Sequence, residues 1–179
     1  MLGMYYTLSH LGQGKSRLTF NYHCRKGAAM ILLFSVDKNW NIGYKGDLLV
    51  KISKDLKRFR RLTINNIIIM GRKTFDSLPG GKALGDRINI VVTRNKAYNP
   101  QGAIVVHSIK ELILKLKEIN PKGEMQNYLI GGGDLANQLL GHCHKAYITK
   151  IFKSFEKADT SLHNLDKDDK WGVKEASAI

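Results

Sequence analysis

The sequence predicts one α/β domain, a mainly parallel twisted sheet with helices on both faces. Three observations carry this. From Met30 onward, apolar segments of strand length alternate with helical stretches. Those segments are apolar at nearly every position rather than every second one, as in strands covered on both sides. Finally, 179 residues with 43% apolar content are enough for one core without disulfides or a structural metal.

The first 29 residues stand apart. They hold Lys15, Arg17, Arg25 and Lys26 with no acid, carry Gly3, Gly12, Gly14 and Gly27, and show no clear periodicity. The expectation is an N-terminal extension over 1–29, disordered or not native, or else a transit peptide, with the domain occupying 30–179. Strands are then expected at 30–36, 65–70, 88–93, 103–106, 127–130 and 145–152. Helices are expected at 53–62, 72–78, 108–119 and 133–140, with 37–51 a loop. Ser108 with Glu111 forms a capping box for the third helix, and Asn120-Pro121 ends it.

The charge excludes little by itself. There are 29 basic against 15 acidic residues, a formal +14, which suits nucleic acid, an anionic surface or small polyanions. The stretch Lys51–Arg61 concentrates six bases around the single acid Asp55. No long basic tail or nucleic-acid motif accompanies it, so nucleic acid is not the expected partner. No apolar run approaches the ~18 residues of a membrane span. Two cysteines, Cys24 and Cys143, make no disulfide framework and point to a reducing, cytoplasmic setting.

In parallel sheets ligands gather beyond the carboxyl ends of the strands, so the residues there are the candidates. After the first strand, Ile52, Asp55, Phe59 and Leu62 share one helix face, while Lys54, Lys57, Arg58, Arg60 and Arg61 take the outer ones. Asp55 has two readings: a first-turn carboxylate behind the cap Ser53, or an acid on the apolar stripe that pairs with a protonatable ligand. After the second strand, Gly71-Arg72-Lys73-Thr74 offers cations at a strand-to-helix turn, and Thr93-Arg94 ends the third. Gly131-Gly132-Gly133-Asp134-Leu135-Ala136 matches G-x-G-x-x-A between strand and helix, a turn that lets backbone approach a pyrophosphate. No acid lies about 20 residues further on, as a ribose 2′-hydroxyl would want. Arg72, Lys73 and Arg94 favour an extra phosphate, hence NADP(H). His142-Cys143-His144 suggests a metal only superficially, because immediate neighbours point apart and no second cluster exists. Trp40 and Trp171 read as packing residues.

Five of these segments in this order resemble the dihydrofolate reductase family: Val36-Asp37 with Ile42-Gly43, Asp55-Leu56 with Phe59, Ile69–Phe75, Ile130–Gly133, and Tyr147–Thr149 followed by Asp159-Thr160. The resemblance runs from Met30 to about Trp171. It implies hydride transfer from NADPH to 7,8-dihydrofolate by a monomer that also binds antifolates such as methotrexate. It implies that Asp55 holds the pterin, supported by Thr149, and that Leu33, Leu56, Phe59 and Leu84 line the substrate slot. By the same resemblance Arg87 clamps the substrate's glutamate. Ser35 and Ile42 flank the nicotinamide, Arg72, Lys73, Thr74, Thr93 and Arg94 serve the adenosine phosphates, Gly131, Gly132 and Gly133 the pyrophosphate side, and Ile130 also touches the cofactor. Three departures stand out. Leu49-Val50 replace the family's Pro-Trp, Ala136 stands where many relatives have an aromatic, and the chain stops soon after Trp171. A closing antiparallel C-terminal strand is therefore expected to be missing, with an open sheet edge. A same-fold reductase of another pterin or a pyrimidine, a basic nucleic-acid binder, and an inactive relative are the alternatives.

Overall fold

The computed structural model describes residues 3–11 and 28–178. Its strands are β1 (Gly3–His10), β2 (Met30–Val36), β3 (Asn41–Tyr44), β4 (Asp47–Leu48), β5 (Ile67–Gly71), β6 (Ile88–Val92), β7 (Ala103–Val106), β8 (Asn127–Gly131), β9 (Cys143–Ile151), β10 (Thr160–Ser161) and β11 (Trp171–Ala178). The helices are α1 (Ser53–Thr63), α2 (Arg72–Asp76), α3 (Ile109–Ile119) and α4 (Gly133–Leu139). Eight strands form one sheet in the order β11-β1-β9-β2-β8-β5-β6-β7, and β10-β3-β4 form a small second one.

From β9 to β7 every neighbouring pair is parallel. Such strands need crossovers, which the helices supply except between β6 and β7, and they are buried on both sides. Hence Ile67, Ile68, Ile69 and Met70 are all fully buried. One core layer joins Leu32, Phe34, Ile69 and Leu129 to α3 through Leu112 and Leu116, and to α4 through Ala136 and Leu139. The other joins Ile31, Leu33, Ile68 and Met70 to Phe75 of α2, with Phe59 and Leu62 of α1 packed against it. Helices thus cover both faces.

The N-terminal segment departs from expectation. Gly3–His10 forms a strand of the main sheet, antiparallel to β9 on one side and to β11 on the other. The sheet edge expected to stay open is therefore covered by β1, and the C-terminal residues, expected to lack a closing strand, form β11 antiparallel to β1. The rest of the presumed extension, residues 12–27, lies outside the described residues. The 37–51 loop is also more ordered than expected, since β3 and β4 form within it and β10 pairs with β3. Asp37, fully buried, ties this loop down by accepting from the backbone N–H groups of Asn39, Asn41 and Phe155 and from the Asn41 side chain.

Two caps differ from the expected ones. Helix α1 is capped by Ile52 without a side-chain bond, so Ser53 is its first helical residue. At α3 the Ser108 hydroxyl accepts from the Glu111 N–H, but Glu111 reaches back to the His107 N–H, one residue beyond the box. Both tryptophans are buried packing residues. Trp40 donates its indole N–H to Asp166 at 3.0 Å, and Trp171 meets His10 edge-on.

Candidate active site

The parallel strands share one carboxyl end, and there the sheet is split. Strands β2 and β8 pair only from Met30↔Asn127 to Leu32↔Leu129. Beyond that point β2 continues to Val36 and β8 to Gly131 without each other. The gap carries Ser35 on one wall and Ile130 on the other, and a shallow cleft beside it is lined by Ser35, Ile42, Leu49 and Val50. A flat ring fits such a split, the crevice in which open α/β sheets hold ligands.

On the α1 side lies the carboxylate. Strand register sets Ser35 of β2 beside Thr149 of β9, and α1 brings Asp55 over both. The Ser35 hydroxyl donates to Asp55 Oδ2 and the Thr149 hydroxyl to Oδ1, each at 2.5 Å. Thr149 is buried and Asp55 half-buried. The charge is thus held by two neutral donors, and each oxygen keeps a second lone-pair direction for a ligand. Of the apolar residues assigned to the slot, Leu33 is buried, Phe59 and Leu84 are half-buried, and Leu56 is 47% exposed. That gradient runs from the sheet to the mouth.

Arg87 is built into place rather than free on the surface. Its Nε donates to Thr63 Oγ1 at 2.8 Å and its Nη1 to the Gly85 carbonyl, and its guanidinium lies 6.0 Å from the Phe59 ring centroid. Thr63 is itself fully buried and donates to the Phe59 carbonyl at the end of α1. Burial and neighbouring Arg60 both lower the Arg87 pKa from its ordinary value. A carboxylate ligand would act against this lowering by favouring the charged guanidinium.

Across the split lies the glycine turn. The Gly131–Gly132 peptide is cis, and Gly132 caps α4. A Cβ on Gly131 would lie 2.5 Å from Thr74 Cγ2, and one on Gly133 would lie 2.7 Å from the Ser161 carbonyl oxygen. Only glycines let β8, α2 and β10 approach this closely. Helix α2 presents Arg72 and Lys73, both exposed, beside that turn. It is anchored by Tyr98, whose hydroxyl donates to Asp76 and whose ring packs edge-on against Phe75. Burial and then the Asp76 bond push the Tyr98 pKa up to about 12. Thr93 bonds to Asn95 through its hydroxyl, and its carbonyl meets the His107 ring. Arg94, beyond the end of β6, is exposed.

The structure brings together residues far apart in the chain, 94 positions in the Thr149–Asp55 bond. Arg58 is the correction. It was expected on an outer helix face, yet it is half-buried against the sheet, with its Nη1 3.5 Å from Thr149 Oγ1. One turn after Asp55 it shares that residue's side of the helix, so i, i+3 spacing was the signal for it. Among the described residues no cluster of His, Cys, Asp or Glu is arranged to hold a metal ion.

A half-buried acid and a glycine-and-cation turn on opposite sides of one sheet split are the arrangement expected of the small α/β reductases that use a phosphorylated nicotinamide cofactor. The sequence comparisons narrow it. The family model for dihydrofolate reductase matches residues 29–178. The dihydrofolate reductase of Aedes albopictus is 36% identical over 138 residues, covering 70% of this chain and 74% of that protein. That of Bacillus subtilis is 37% identical over 124 residues, 69% and 70% of the two chains. That of Drosophila melanogaster is 32% identical over 170 residues, 83% and 91%. Among solved structures, the Enterococcus faecalis enzyme complexed with NADP(H) and RAB-propyl superposes with a TM-score of 0.67 at 29% identity, covering 78% of this chain and 79% of that one. This chain belongs to the dihydrofolate reductase family.

Proposed function

We infer that the chain reduces 7,8-dihydrofolate to tetrahydrofolate with NADPH. The observation that carries this is the Asp55 carboxylate, held by Ser35 and Thr149 at the lip of the split with its outward lone pairs free for an amidine edge. The cofactor supplies a hydride from its C4 to substrate C6 when bound. The residues present fit it, because Gly131 lets α2 pack close against β8, which sets Arg72 and Lys73 beside the glycine turn, and Arg94 stands at the neighbouring strand end. Arg72, Lys73 and Arg94, with Thr74 and Thr93, would hold the adenosine phosphates. Ser35, Ile42 and Ile130 would bound the nicotinamide.

In this reading Asp55 makes a bidentate, charge-assisted pair with the pterin. Its negative charge favours protonation at N5, to which water delivers the proton. Leu33, Leu56, Phe59 and Leu84 would enclose the apolar body of the substrate, with Arg87 on its glutamate carboxylate. The same slot would take aminopteridine antifolates such as methotrexate. Leu49 and Val50 lining the cleft bear on how well it excludes water, hence on rate more than identity. Among the described residues no helix is long and apolar enough to cross a membrane. A cytoplasmic setting suits a chain with two cysteines, of which Cys143 is buried and donates its thiol to the Leu139 carbonyl.

The test is NADPH oxidation with dihydrofolate, followed by absorbance, in the parent protein and in Asp55→Asn. Loss of roughly 10²-fold or more in rate is expected, the usual scale for an acid–base group. Equal rates would remove Asp55 from the chemistry. A ribosylated pyrimidine reduced faster than dihydrofolate would change the substrate assignment, and Arg87 stands against that outcome.

A further inference from the structure

The register of β1, β9 and β2 sets Tyr5 opposite Thr149 and Thr149 opposite Ser35. Side chains directly across neighbouring strands stand on the same face, so these three form one row. Helix α1 lies over that row. Ser35 and Thr149 hold Asp55. Tyr5, the third member, holds Arg58 instead: the guanidinium carbon lies 4.2 Å from the Tyr5 ring centroid and 5.4 Å from that of Tyr147. From there Arg58 Nη1 approaches Thr149 Oγ1.

An arginine facing water would lose side-chain entropy on pointing at one hydroxyl. The aromatic faces hold the planar guanidinium in place. Thr149 then has both of its roles committed, accepting from Arg58 and donating to Asp55 Oδ1. Accepting from a cation polarises its O–H toward the carboxylate. Lys145 caps the Tyr147 hydroxyl at 3.0 Å, which fixes the second ring.

We propose that Arg58, clamped by Tyr5 of the N-terminal strand, is a positioning residue that orients the Thr149–Asp55 pair, so that β1 is a working part of the active site. The catalytic consequence rests on the dihydrofolate reading, whereas the clamp does not.

The full chain is compared with Tyr5→Leu, Tyr5→Phe, Arg58→Met, the Tyr5→Leu/Arg58→Met double variant, and Leu8→Ala as control. Leu8 sits on the same strand but is buried in the other core layer, so its truncation weakens β1 without touching the row. Expected are a roughly fivefold rise in dihydrofolate Kd for Tyr5→Leu and for Arg58→Met, about the size of a partly desolvated cation–π contact. NADPH Kd should hold steady, Tyr5→Phe should retain parental affinity, and the double variant should be no worse than either single. Leu8→Ala should lower Tm and leave dihydrofolate Kd unchanged. Tyr5→Leu behaving like Leu8→Ala, or additive losses in the double variant, overturns the proposal. A second readout needs no substrate, namely the 13Cγ resonance of Asp55 in the ligand-free protein. It should move in Tyr5→Leu and Arg58→Met and stay in Leu8→Ala. If it does not move, the clamp is refuted whatever the protein reduces. If it moves while dihydrofolate is not turned over, the clamp stands and the substrate assignment falls.

Discussion

The closest packing in the site is also its most testable feature, and Gly131→Ala probes it. The added methyl would lie 2.5 Å from Thr74 Cγ2, 2.6 Å from Oγ1 and 3.1 Å from Thr74 Cβ. Unbonded carbons prefer roughly 3.5–4.0 Å, so the overlap is about 1 Å. Rotating Thr74 about χ1 exchanges one γ atom for another and leaves the Cβ contact, so relief requires α2 to move away from β8. Over-packing of this kind costs about 1–3 kcal/mol, roughly a 5- to 150-fold change in the unfolding constant.

Thr74→Ala removes the two shortest contacts and leaves only the one at 3.1 Å. The double variant Thr74→Ala/Gly131→Ala should therefore be more stable than Gly131→Ala alone, a coupling of about 1–2 kcal/mol within the range of neighbouring residues. Urea unfolding reads the stability, and NADPH titration reads the cradle. Gly131→Ala should weaken NADPH more than dihydrofolate, because the shifted helix carries Arg72 and Lys73. A Gly131→Ala protein with parental stability and NADPH affinity, or a strictly additive cycle, would refute the packing argument.

Arg87→Leu should raise KM for dihydrofolate by about tenfold or more, the scale of a lost hydrogen bond to a charged group, with kcat nearly unchanged. A substrate lacking the glutamate should not distinguish the two proteins, and if it does, Arg87 is not the clamp. The His144 side chain has a buried Nδ1 with no partner, and burial lowers its pKa from the ordinary value. A histidine depressed in the folded state contributes stability above its unfolded pKa of about 6.5, and that stability is lost as pH falls through the folded value. His144→Gln should flatten the fall in Tm between neutral and mildly acid pH, and an unchanged slope would count against this assignment. Raising salt should raise KM for NADPH more steeply than for NADH, because the extra phosphate sees the screened cations. Parallel slopes would mean that Arg72, Lys73 and Arg94 do not read it.

The elements legible in the sequence were those whose pattern is local. Strands β2, β5, β6, β7 and β8 are short, largely apolar runs, α3 has a capping signal in Ser108, and α1 shows its apolar stripe through Phe59 and Leu62. Asp55 was legible because a lone carboxylate on such a stripe is unusual among so many cations. What stayed hidden depends on partners far along the chain. Strand β1 has no clean alternation, since Thr7 and Leu8 are both buried while Tyr5 and Tyr6 are partly exposed. Tyr5-Tyr6-Thr7 does carry β propensity, the one local hint, but a strand between two antiparallel neighbours is set by pairing that no window of the sequence contains. The short pairs β3–β4 and β3–β10 are hidden for the same reason. So is the split between β2 and β8, a matter of where two ladders part.

The net charge takes on its meaning from the same tertiary facts. The ion pairs among the described residues engage Lys51, Lys115, Lys122, Lys150 and His163. None of Arg72, Lys73, Arg87 or Arg94 shares a carboxylate in that way. The hydrogen bonds of Arg87 go to neutral groups, Thr63 Oγ1 and the Gly85 carbonyl, with Asp86 acting on it only through space, as Asp159 does on Lys73. Arg72, Lys73 and Arg94 gather at the carboxyl ends of β5 and β6, where like charges repel each other and cost stability, while Arg87 stands at the other end of β6. A ligand with phosphates on one side of the split and a carboxylate on the other would offset that cost on binding. A surplus that looked, from composition, like a signal for nucleic acid is therefore partly a local field, placed where strand ends and α2 hold it and matched to small anions. Arg58 lies outside this account. Its charge faces the two aromatic rings and Thr149 and acts on the alignment of Asp55 rather than on an incoming anion, which is why counting charges could not separate it from its neighbours on α1.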